Sequence, residues 1–424
     1  MRGATISEDL HLRDFTVNAL AMPLDQTYLS GGFPVTEFLD PCGGLADLHN
    51  RVLRPCGPTS LPDDPLRTLR AARVAATLGL KPAPGLDAAI RAAAPGLDRV
   101  AGERIRDELL KLLSGPTAAP WLYTLDDWGI LTRLFPELEP GRTCDQPNVH
   151  FLPVLEHSLE TVTALEWLID GATWGTAASP PRLPTALHLI PNLSPELPFA
   201  AQYTTLMAER RAGGHRRAAL LKLAALLHDN AKPQTKQVHP DGKVSFYGHQ
   251  DLGAEAAAVS CRRLRFSRND SAYVAGIIRE HMRPGQLRAA DVLTARAQAR
   301  FFRDLGDQGP DVLLHELADH MATRGPQIRR EHWQAHLEWI ALMLQSYWGA
   351  PPERRQPLVR GNELMDALGL PPGRQIGEFL REIAEAQAAG EISTHEEAIS
   401  LARQLHTAAV EEATKRNAES KPLS

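Results

Sequence analysis

Amphipathic periodicity from Asp63 onward is the feature that most constrains what this chain can fold into. In DDPLRTLRAARVAATLGL (63–80) apolar side chains recur at close to helical spacing, and two carboxylates stand at the start, where they suit the helix dipole. GERIRDELLKLLSG (102–115) is a second amphipathic helix, which ends at Gly115-Pro116. Comparable patterns continue from residue 151 to residue 348. The sequence therefore predicts an α+β protein that is mostly α.

The opening segment carries a different pattern. VTEFLDP (35–41) and RVLRPC (51–56) predict short strands on either side of a helix at GGLADLHN (43–50). We predict four parts along the chain: a partial α+β head at 1–56, a helical neck at 57–138, a helical domain at 151–348 and a helical C-terminal region at 356–410.

The composition narrows the class of protein. Hydrophobic residues make up 43% of the chain, but we find no uncharged apolar window of about 18 residues and no apolar stretch at the N-terminus. The four cysteines are far apart and form no C-x-x-C pair, which argues against a disulfide framework and a structural zinc site. We expect a cytoplasmic protein with no membrane partner.

Positive charge is concentrated locally, although the formal net charge is −5. Residues 51–111 contain nine Arg and two Lys against seven acidic residues. Further clusters occur in ERRAGGHRRAALLK (209–222) and CRRLRFSR (261–268). Such patches could contact a phosphate backbone, but most arginine runs are solvated helix faces.

Histidines and aspartates form a candidate metal site. His228 and Asp229 end the apolar helix in LLKLAALLHDNAKP, and adjacent side chains on a helix point about 100° apart, so both reach one ion only where that helix meets others. Imidazoles and carboxylates without thiolates suit Mn, Fe, Ni, Co or Mg. A chain with 16 His also produces accidental His-Asp pairs. The candidate partners are His157, His249, His281 and Asp319.

The order of these residues resembles that of the HD-domain metal-dependent phosphohydrolases. The resemblance implies that His157, His228, Asp229 and Asp319 bind one metal ion, and that His249 and His281 match the positions that hold a second ion in some members. It also implies that Lys232 is the basic residue beside the site. An ion there would activate a water for attack on a phosphoester, with His228, Asp229 and Lys232 as the catalytic group.

Four motifs occur in the first 113 residues: DLHLRDFTVNALA, DPCGGLADL (40–48), DDPLRTLRAAR (63–73) and GERIRDELLKLL (102–113). In this order they resemble those of the class II RNA nucleotidyltransferases: the CCA-adding, CC-adding and A-adding enzymes and the poly(A) polymerases. The run at 361–403 is similar to the end of that family, several bacterial members of which carry an HD domain. The resemblance thus covers nearly the whole chain.

The resemblance assigns a nucleotide site. Asp64 and Arg67, three apart on a predicted helix, share a face and offer an acceptor and a fork of donors that could template the base edge of ATP or CTP. Without the other motifs, a surface ion pair would be the better interpretation. The remaining matches are Arg13, Asp14 and Asn18 in the motif that contacts the triphosphate and sugar, where Leu12 replaces a usual arginine, and Arg70 beside Arg67.

The carboxylates that hold Mg²⁺ for nucleotidyl transfer lie, in this family, upstream of the Arg13-Asp14 motif, where this sequence has only MRGATI (1–6) before that motif begins. We therefore expect the chain to be N-terminally truncated, through a misassigned start or a shortened gene. Three hypotheses follow: an enzyme that adds ATP or CTP to a tRNA 3′ end, an HD phosphohydrolase that acts on RNA-end or nucleotide phosphoesters, and an RNA-binding protein with an empty HD site.

Overall fold

A computed structural model of the 424-residue chain describes residues 5–22, 38–147, 149–170, 184–189, 197–289, 293–349 and 357–419. Helices dominate these residues and the strands among them are two residues long, so the predicted α+β, mostly α class is confirmed. The expected strand at 35–41 lies partly outside the described residues, and its described part forms a single bridge between Leu39 and Ala21.

The N-terminal part is a short α+β segment followed by helices. Helix α1 begins with a capping box, in which Thr5 Oγ1 accepts from the Glu8 amide and the Glu8 carboxylate accepts from the Thr5 amide. Strand β1 pairs with β2 in parallel. The elements are α1 (Ile6–His11), α2 (Gly44–His49), β1 (Val52–Leu53), α3 (Ser60–Asp63), α4 (Leu66–Leu78), β2 (Lys81–Pro82), α5 (Leu86–Ala93), α6 (Gly102–Leu113), α7 (Ala118–Asp127) and α8 (Leu131–Leu134).

The rest of the chain is helical apart from an antiparallel hairpin, β3–β4. Its elements are α9 (Val154–Asp170), α10 (Thr185–Leu189), α11 (Ala200–Ala208), α12 (Arg217–Leu227), α13 (Lys232–Thr235), β3 (Gln237–Val238), β4 (Val244–Ser245), α14 (His249–Arg263), α15 (Arg268–Glu280), α16 (Arg283–Arg288), α17 (Ala295–Leu305), α18 (Gly309–Arg324), α19 (Arg330–Trp348), α20 (Gly361–Leu368), α21 (Arg374–Ala388) and α22 (His395–Glu419). None of the described helices is long and apolar enough to cross a membrane.

By packing, the chain divides into two compact units. The first consists of Met1–Met282 and Asp311–Leu337, and the second of Arg283–Pro310 and Glu338–Ser424. The second unit has its own apolar cluster, which includes Leu364, Phe379 and Ile383. The four-part division inferred from the sequence stays a prediction.

Helix α12 is the centre of the helical part of the first unit. Its residues from Ala219 to Leu227 are all buried, because the helix packs against α9 on one side and α15 on another. These buried residues are apolar apart from Lys222, which suits a helix in such a central position. Its C-terminal end therefore delivers His228 and Asp229 into the interior of the unit.

Candidate functional sites

A polar cleft of about 580 Å³ collects the residues predicted to bind nucleotide. All six line it, although they come from two segments, 13–18 and 64–70, that are separated in the sequence. Asp9, Leu12, Arg73 and Arg104 complete its wall. The six predicted residues are Arg13, Asp14, Asn18, Asp64, Arg67 and Arg70.

Asp14 is the hub of one side of the cleft. Its Oδ1 accepts hydrogen bonds from the Phe15 amide at 2.8 Å and from Asn18 Nδ2 at 3.2 Å, while Oδ2 lies 3.2 Å from Arg70 Nη1. Arg13 pairs with Asp9 at 3.1 Å, and about half of its side chain is exposed. The paired guanidinium of Arg13 is thus accessible from solvent, whereas Asp14 is held in place by three contacts.

The expected Asp64–Arg67 pair on one helix is wrong. Asp64 has an extended backbone (φ −142°, ψ 92°) between α3 and α4, and Arg67 belongs to α4. The residue before a proline disfavours the helical region, and Pro65 follows Asp64. The two side chains still line one cleft, but they do not share a helix face.

The guanidinium of Arg67 forms its hydrogen bonds with backbone carbonyls of the protein. Its side chain is buried, Nη2 donates to Leu12 O at 2.8 Å, and Nη1 donates to Arg13 O at 3.2 Å and to Ser60 O at 3.0 Å. Arg67 therefore ties the Arg13 segment to α3 and α4. Its role in this geometry is to hold the cleft wall.

Arg104, and not the expected Arg67, forms an ion pair with Asp64. Its Nη2 donates to Asp64 Oδ2 at 2.8 Å, and about half of its side chain is exposed. The sequence predicts Arg104 and Glu108, four apart on one helix, as structural braces, and it gave no signal that Arg104 would pair with Asp64, 40 residues away. The carboxylate of Asp64 and the guanidinium of Arg104 together offer one acceptor and several donors to the cleft.

A buried carboxylate supports the arginines below the cleft. Glu108 accepts from Arg73 Nε at 2.5 Å and from Arg70 Nη2 at 3.3 Å. Burial would lower the pKa of Arg70, but Glu108 and Asp14 raise it above its ordinary value. Arg70 is accordingly a fixed positive charge.

A second cluster lies at the end of α12. Nε2 of His157, on α9, is 3.3 Å from Nε2 of His228 and 3.0 Å from Oδ1 of Asp319. Asp229 Oδ2 is 3.1 Å from His228 Nε2 and 3.5 Å from His157 Nε2. The four residues predicted to hold one ion thus converge on one point.

The residues expected at a second ion form an adjoining group. Nε2 atoms of His249 and His281 lie 3.2 Å apart. Asp229 Oδ1 is 3.4 Å from the first and 3.8 Å from the second. One carboxylate therefore faces a different histidine pair with each of its oxygens.

The hydrogen bonds of the rings favour metal binding. Nδ1 of His228, His249 and His281 each faces a backbone carbonyl, that of Ala225, Phe246 and Ile278, at 2.8, 2.7 and 2.6 Å. A proton on Nδ1 leaves the Nε2 lone pair directed into the cluster, and this arrangement orients metal-ligating histidines. Two unprotonated Nε2 atoms facing each other cannot hydrogen-bond, whereas a divalent ion beside each pair would bind both lone pairs, so the residues fit such a group.

The electrostatics favour the binding forms of His249, His281 and Asp229, whereas at His228 burial would lower the pKa but Asp229 raises it above its ordinary value. Burial lowers the pKa of His281 to about 3 and lowers that of His249, so both rings are neutral. Burial would raise the pKa of Asp229, but His228 and Lys232 hold it well below its usual range. Lys232 Nζ lies 2.6 Å from Asp229 Oδ2, beside the cluster as predicted from the sequence.

Three side chains near the cluster were missed. His315 is fully buried, and its ring centroid is 4.9 Å from that of His228. His150 packs edge-on against His157 at 5.4 Å, and Gln146 Oε1 accepts from Lys232 Nζ at 2.6 Å. His315 could have been found, since it precedes Asp319 by one helical turn; the loop residues carry no such signal.

Family models match most of the chain. They are described as poly A polymerase head domain (1–54), "Probable RNA and SrmB-binding site of polymerase A" (79–141), HD domain (199–324) and tRNA nucleotidyltransferase domain 2 (307–402).

Curated relatives extend over nearly the full sequence. An A-adding tRNA nucleotidyltransferase of Deinococcus radiodurans is 35% identical over 93% of this chain and 78% of its own length. A CC-adding tRNA nucleotidyltransferase of Thermus thermophilus is 34% identical over 93% of this chain and 76% of its own length. A solved CCA-adding enzyme with CTP has a similar fold, with a TM-score of 0.55 and 18% identity over 93% of this chain and 71% of that one.

Proposed function

Because this chain belongs to the class II tRNA nucleotidyltransferase and poly(A) polymerase family whose members can carry an HD domain, we propose that it binds ATP or CTP in the polar cleft and acts at the 3′ end of tRNA in the cytoplasm. The observation that carries the proposal is the convergence of the six predicted residues on one cleft.

Each wall of the cleft suits a different part of a nucleotide. Asp64 and Arg104 offer an acceptor and donors to the edge of a base, and their ion pair leaves Arg104 half exposed. Arg13 and Arg70 supply positive charge for the triphosphate. Asn18 Nδ2 is committed to Asp14, so Asn18 orients that carboxylate toward the sugar.

The family implies a divalent ion, and we propose Mg²⁺ for nucleotidyl transfer. The described acidic residues of the cleft do not fit as its ligands, because Asp14 and Asp64 are paired with Arg70 and Arg104 and Asp9 with Arg13. The proposal for this chain therefore concerns selection and binding of the nucleotide.

Calorimetric titration with the four ribonucleoside triphosphates tests the proposal. We expect ATP or CTP to bind, GTP and UTP to bind more weakly, and Asp64→Ala to reduce the preference between bases. Asp98→Ala is a matched control, because Asp98 forms an exposed pair with Arg133 away from the cleft. Equal affinity for all four nucleotides, unchanged by Asp64→Ala, would contradict the proposal.

The second candidate function is metal-dependent phosphohydrolysis, and the carboxylate shared by two histidine pairs favours it. His157, His228, Asp229 and Asp319 would hold one ion and His249 and His281, with Asp229, a second; Mn²⁺, Fe²⁺, Ni²⁺, Co²⁺ or Mg²⁺ suits this donor set. Such ions supply an activated water and polarise a phosphoryl group. Lys232, beside Asp229, would offset the charge of a bound phosphate.

Metal analysis of the purified chain, with hydrolysis assays on a phosphomonoester and a 2′,3′-cyclic nucleotide, tests this second candidate. We expect Asp229→Ala to abolish both bound metal and hydrolysis, and Asp64→Ala to change neither. Binding of tRNA by a chain that retains no metal would favour the non-enzymatic hypothesis for the HD site.

A further inference from the structure

A groove of about 410 Å³ lies at the C-terminal end of α6, away from both sites described above. One wall is α6 with the residue that follows it, and the other is the turn that leads into α12. The lining residues are Asp107, Leu110, Lys111, Ser114, Arg210, His215 and Arg216.

The groove is positively charged. Arg210 and Arg216 are exposed, and neither forms an ion pair with any residue that the structure describes. Lys111 is 60% exposed and lies 3.6 Å from Glu108. The acidic member, Asp107, is paired with Arg106 at 2.7 Å. The groove thus offers two arginines, Arg210 and Arg216, whose charge is not matched by a described carboxylate, and the exposed ammonium of Lys111.

The turn that carries Arg210 and Arg216 is ordered by hydrogen bonds. His215 O accepts from the Arg211 amide at 2.9 Å, and Arg210 Nη1 donates to Gly214 O at 2.7 Å. His215 Nδ1 lies 2.8 Å from the fully buried carboxylate of Asp270. A charged turn that is already ordered loses little entropy on binding an anion.

Helix α6 connects this groove to the nucleotide cleft. Arg104 lines the cleft and Lys111 lines the groove. Seven residues make nearly two full turns, so both side chains leave the same face of α6, about 10 Å apart along its axis. A single small anion reaches one of these residues, whereas a polyanion can contact both.

We propose that this groove binds the phosphate backbone of an RNA whose 3′ end occupies the cleft, with Lys111, Arg210 and Arg216 as the contacting residues. The inference deepens the proposed function and rests on it, because it takes tRNA as the polyanion. It adds the turn at 210–216, which lies in the segment matched by the HD model, to the RNA-binding surface. The contacts are to phosphates, so they contribute affinity without sequence preference.

The test compares tRNA binding by the parent chain and by R210A/R216A at several salt concentrations. We expect the double variant to bind tRNA at least about tenfold more weakly near 0.1 M salt, and the slope of log K against log salt to fall by about 2. R279A/R330A is the control, since it removes two exposed arginines outside both sites and outside the segment that the RNA-binding model matches. R210K/R216K keeps the charges and should restore most of the affinity.

Two short probes separate this inference from the proposed function. ATP and CTP, which have no chain beyond the cleft, should each bind equally to parent and double variant. If the double variant binds tRNA like the control variant while the parent binds both nucleotide and tRNA, the groove assignment is wrong and the proposed function stands. If the parent chain does not bind tRNA, the groove assignment and the proposed function are both wrong.

Discussion

Nζ of Lys222 lies 2.8 Å from Oε1 of Glu166, and the two side chains are only 2% and 6% exposed. Glu166 also accepts from the amides of Ala118 and Ala119, and Lys222 donates to Gly115 O. The pair therefore fastens the start of α7 to α9 and α12. We expect Lys222→Met to lower the free energy of unfolding by about 3–5 kcal/mol, because Glu166 would remain buried without its cation.

Chemical denaturation of single and double variants measures this effect. Lys222→Met and Glu166→Gln together should cost less than the sum of the two single changes, as expected for residues in contact. Arg374→Ala is the matched surface control, since Arg374 is 92% exposed in its pair with Glu378, and should cost less than about 1 kcal/mol. A buried-pair variant as stable as this control would contradict the prediction.

Arg67 and Arg104 should respond differently to substitution. Arg67→Met removes donors from three backbone carbonyls, of which that of Ser60 is buried, so we expect a lower melting temperature together with weaker nucleotide binding. Arg104→Met removes an exposed partner of Asp64, and we expect weaker nucleotide binding at an almost unchanged melting temperature. Thermal unfolding and calorimetry on the same samples measure both quantities. An Arg67→Met chain with parental stability would show that Arg67 does not hold the cleft wall.

The shared carboxylate predicts a pattern of metal stoichiometry. Asp319→Ala removes a group that contacts the His157–His228 pair, and His281→Ala removes one that contacts His249, so each should lower the number of bound Mn²⁺ ions by one. Asp229→Ala should remove both ions. Titration with Mn²⁺ gives the stoichiometry, and Asp241→Ala, an exposed carboxylate on the β3–β4 hairpin, is the control. Retention of one ion by Asp229→Ala would contradict the shared site.

The alkylation rate of Cys56 measures how far its thiol is buried in the wall behind the cleft. Its amide donates to Asp14 O at 3.2 Å, and burial together with the neighbouring Cys42 thiol raises the pKa of Cys56 to about 12. Only the thiolate reacts with iodoacetamide, so alkylation of Cys56 at pH 8 should be at least about tenfold slower in the folded than in the unfolded chain.

The pH dependence of this reaction should differ as well. Between pH 8 and pH 10 the alkylation rate of Cys56 should keep rising in the folded chain, because this interval lies below the raised pKa. In the unfolded chain the rate should level off above its ordinary pKa of about 8.5. Peptide mass analysis measures both rates, and equal rates at pH 8 would contradict the prediction.

The sequence was sufficient for the helical class, and it selected a set of histidines and aspartates that the structure places together, because both depend on residues whose order and periodicity are visible in the chain. His157, His228, Asp229 and Asp319 lie on three helical segments whose apolar faces fix which side chains point inward. The structure places His157, His228 and Asp229 in one group, with His249 and His281 beside Asp229, and Asp319 Oδ1 lies 3.0 Å from His157 Nε2.

The nucleotide site shows where sequence reasoning fails. Asp64 and Arg67 were assigned to one helix from their spacing, although Asp64-Pro65 is a signal for an extended residue. The Asp64–Arg104 pair joins residues 40 apart in the sequence and depends on how α6 packs against α4. Such a tertiary contact has no signature in local periodicity.

Asp229 also has a consequence for how such a site can be inherited. Its two oxygens face separate histidine pairs, so a single substitution at Asp229 removes a carboxylate ligand from both pairs at once. A substitution of Asp229 therefore cannot remove one of the two ion positions and leave the other intact. A comparison of natural variants should therefore find this aspartate kept with all the surrounding histidines, or lost while they drift together.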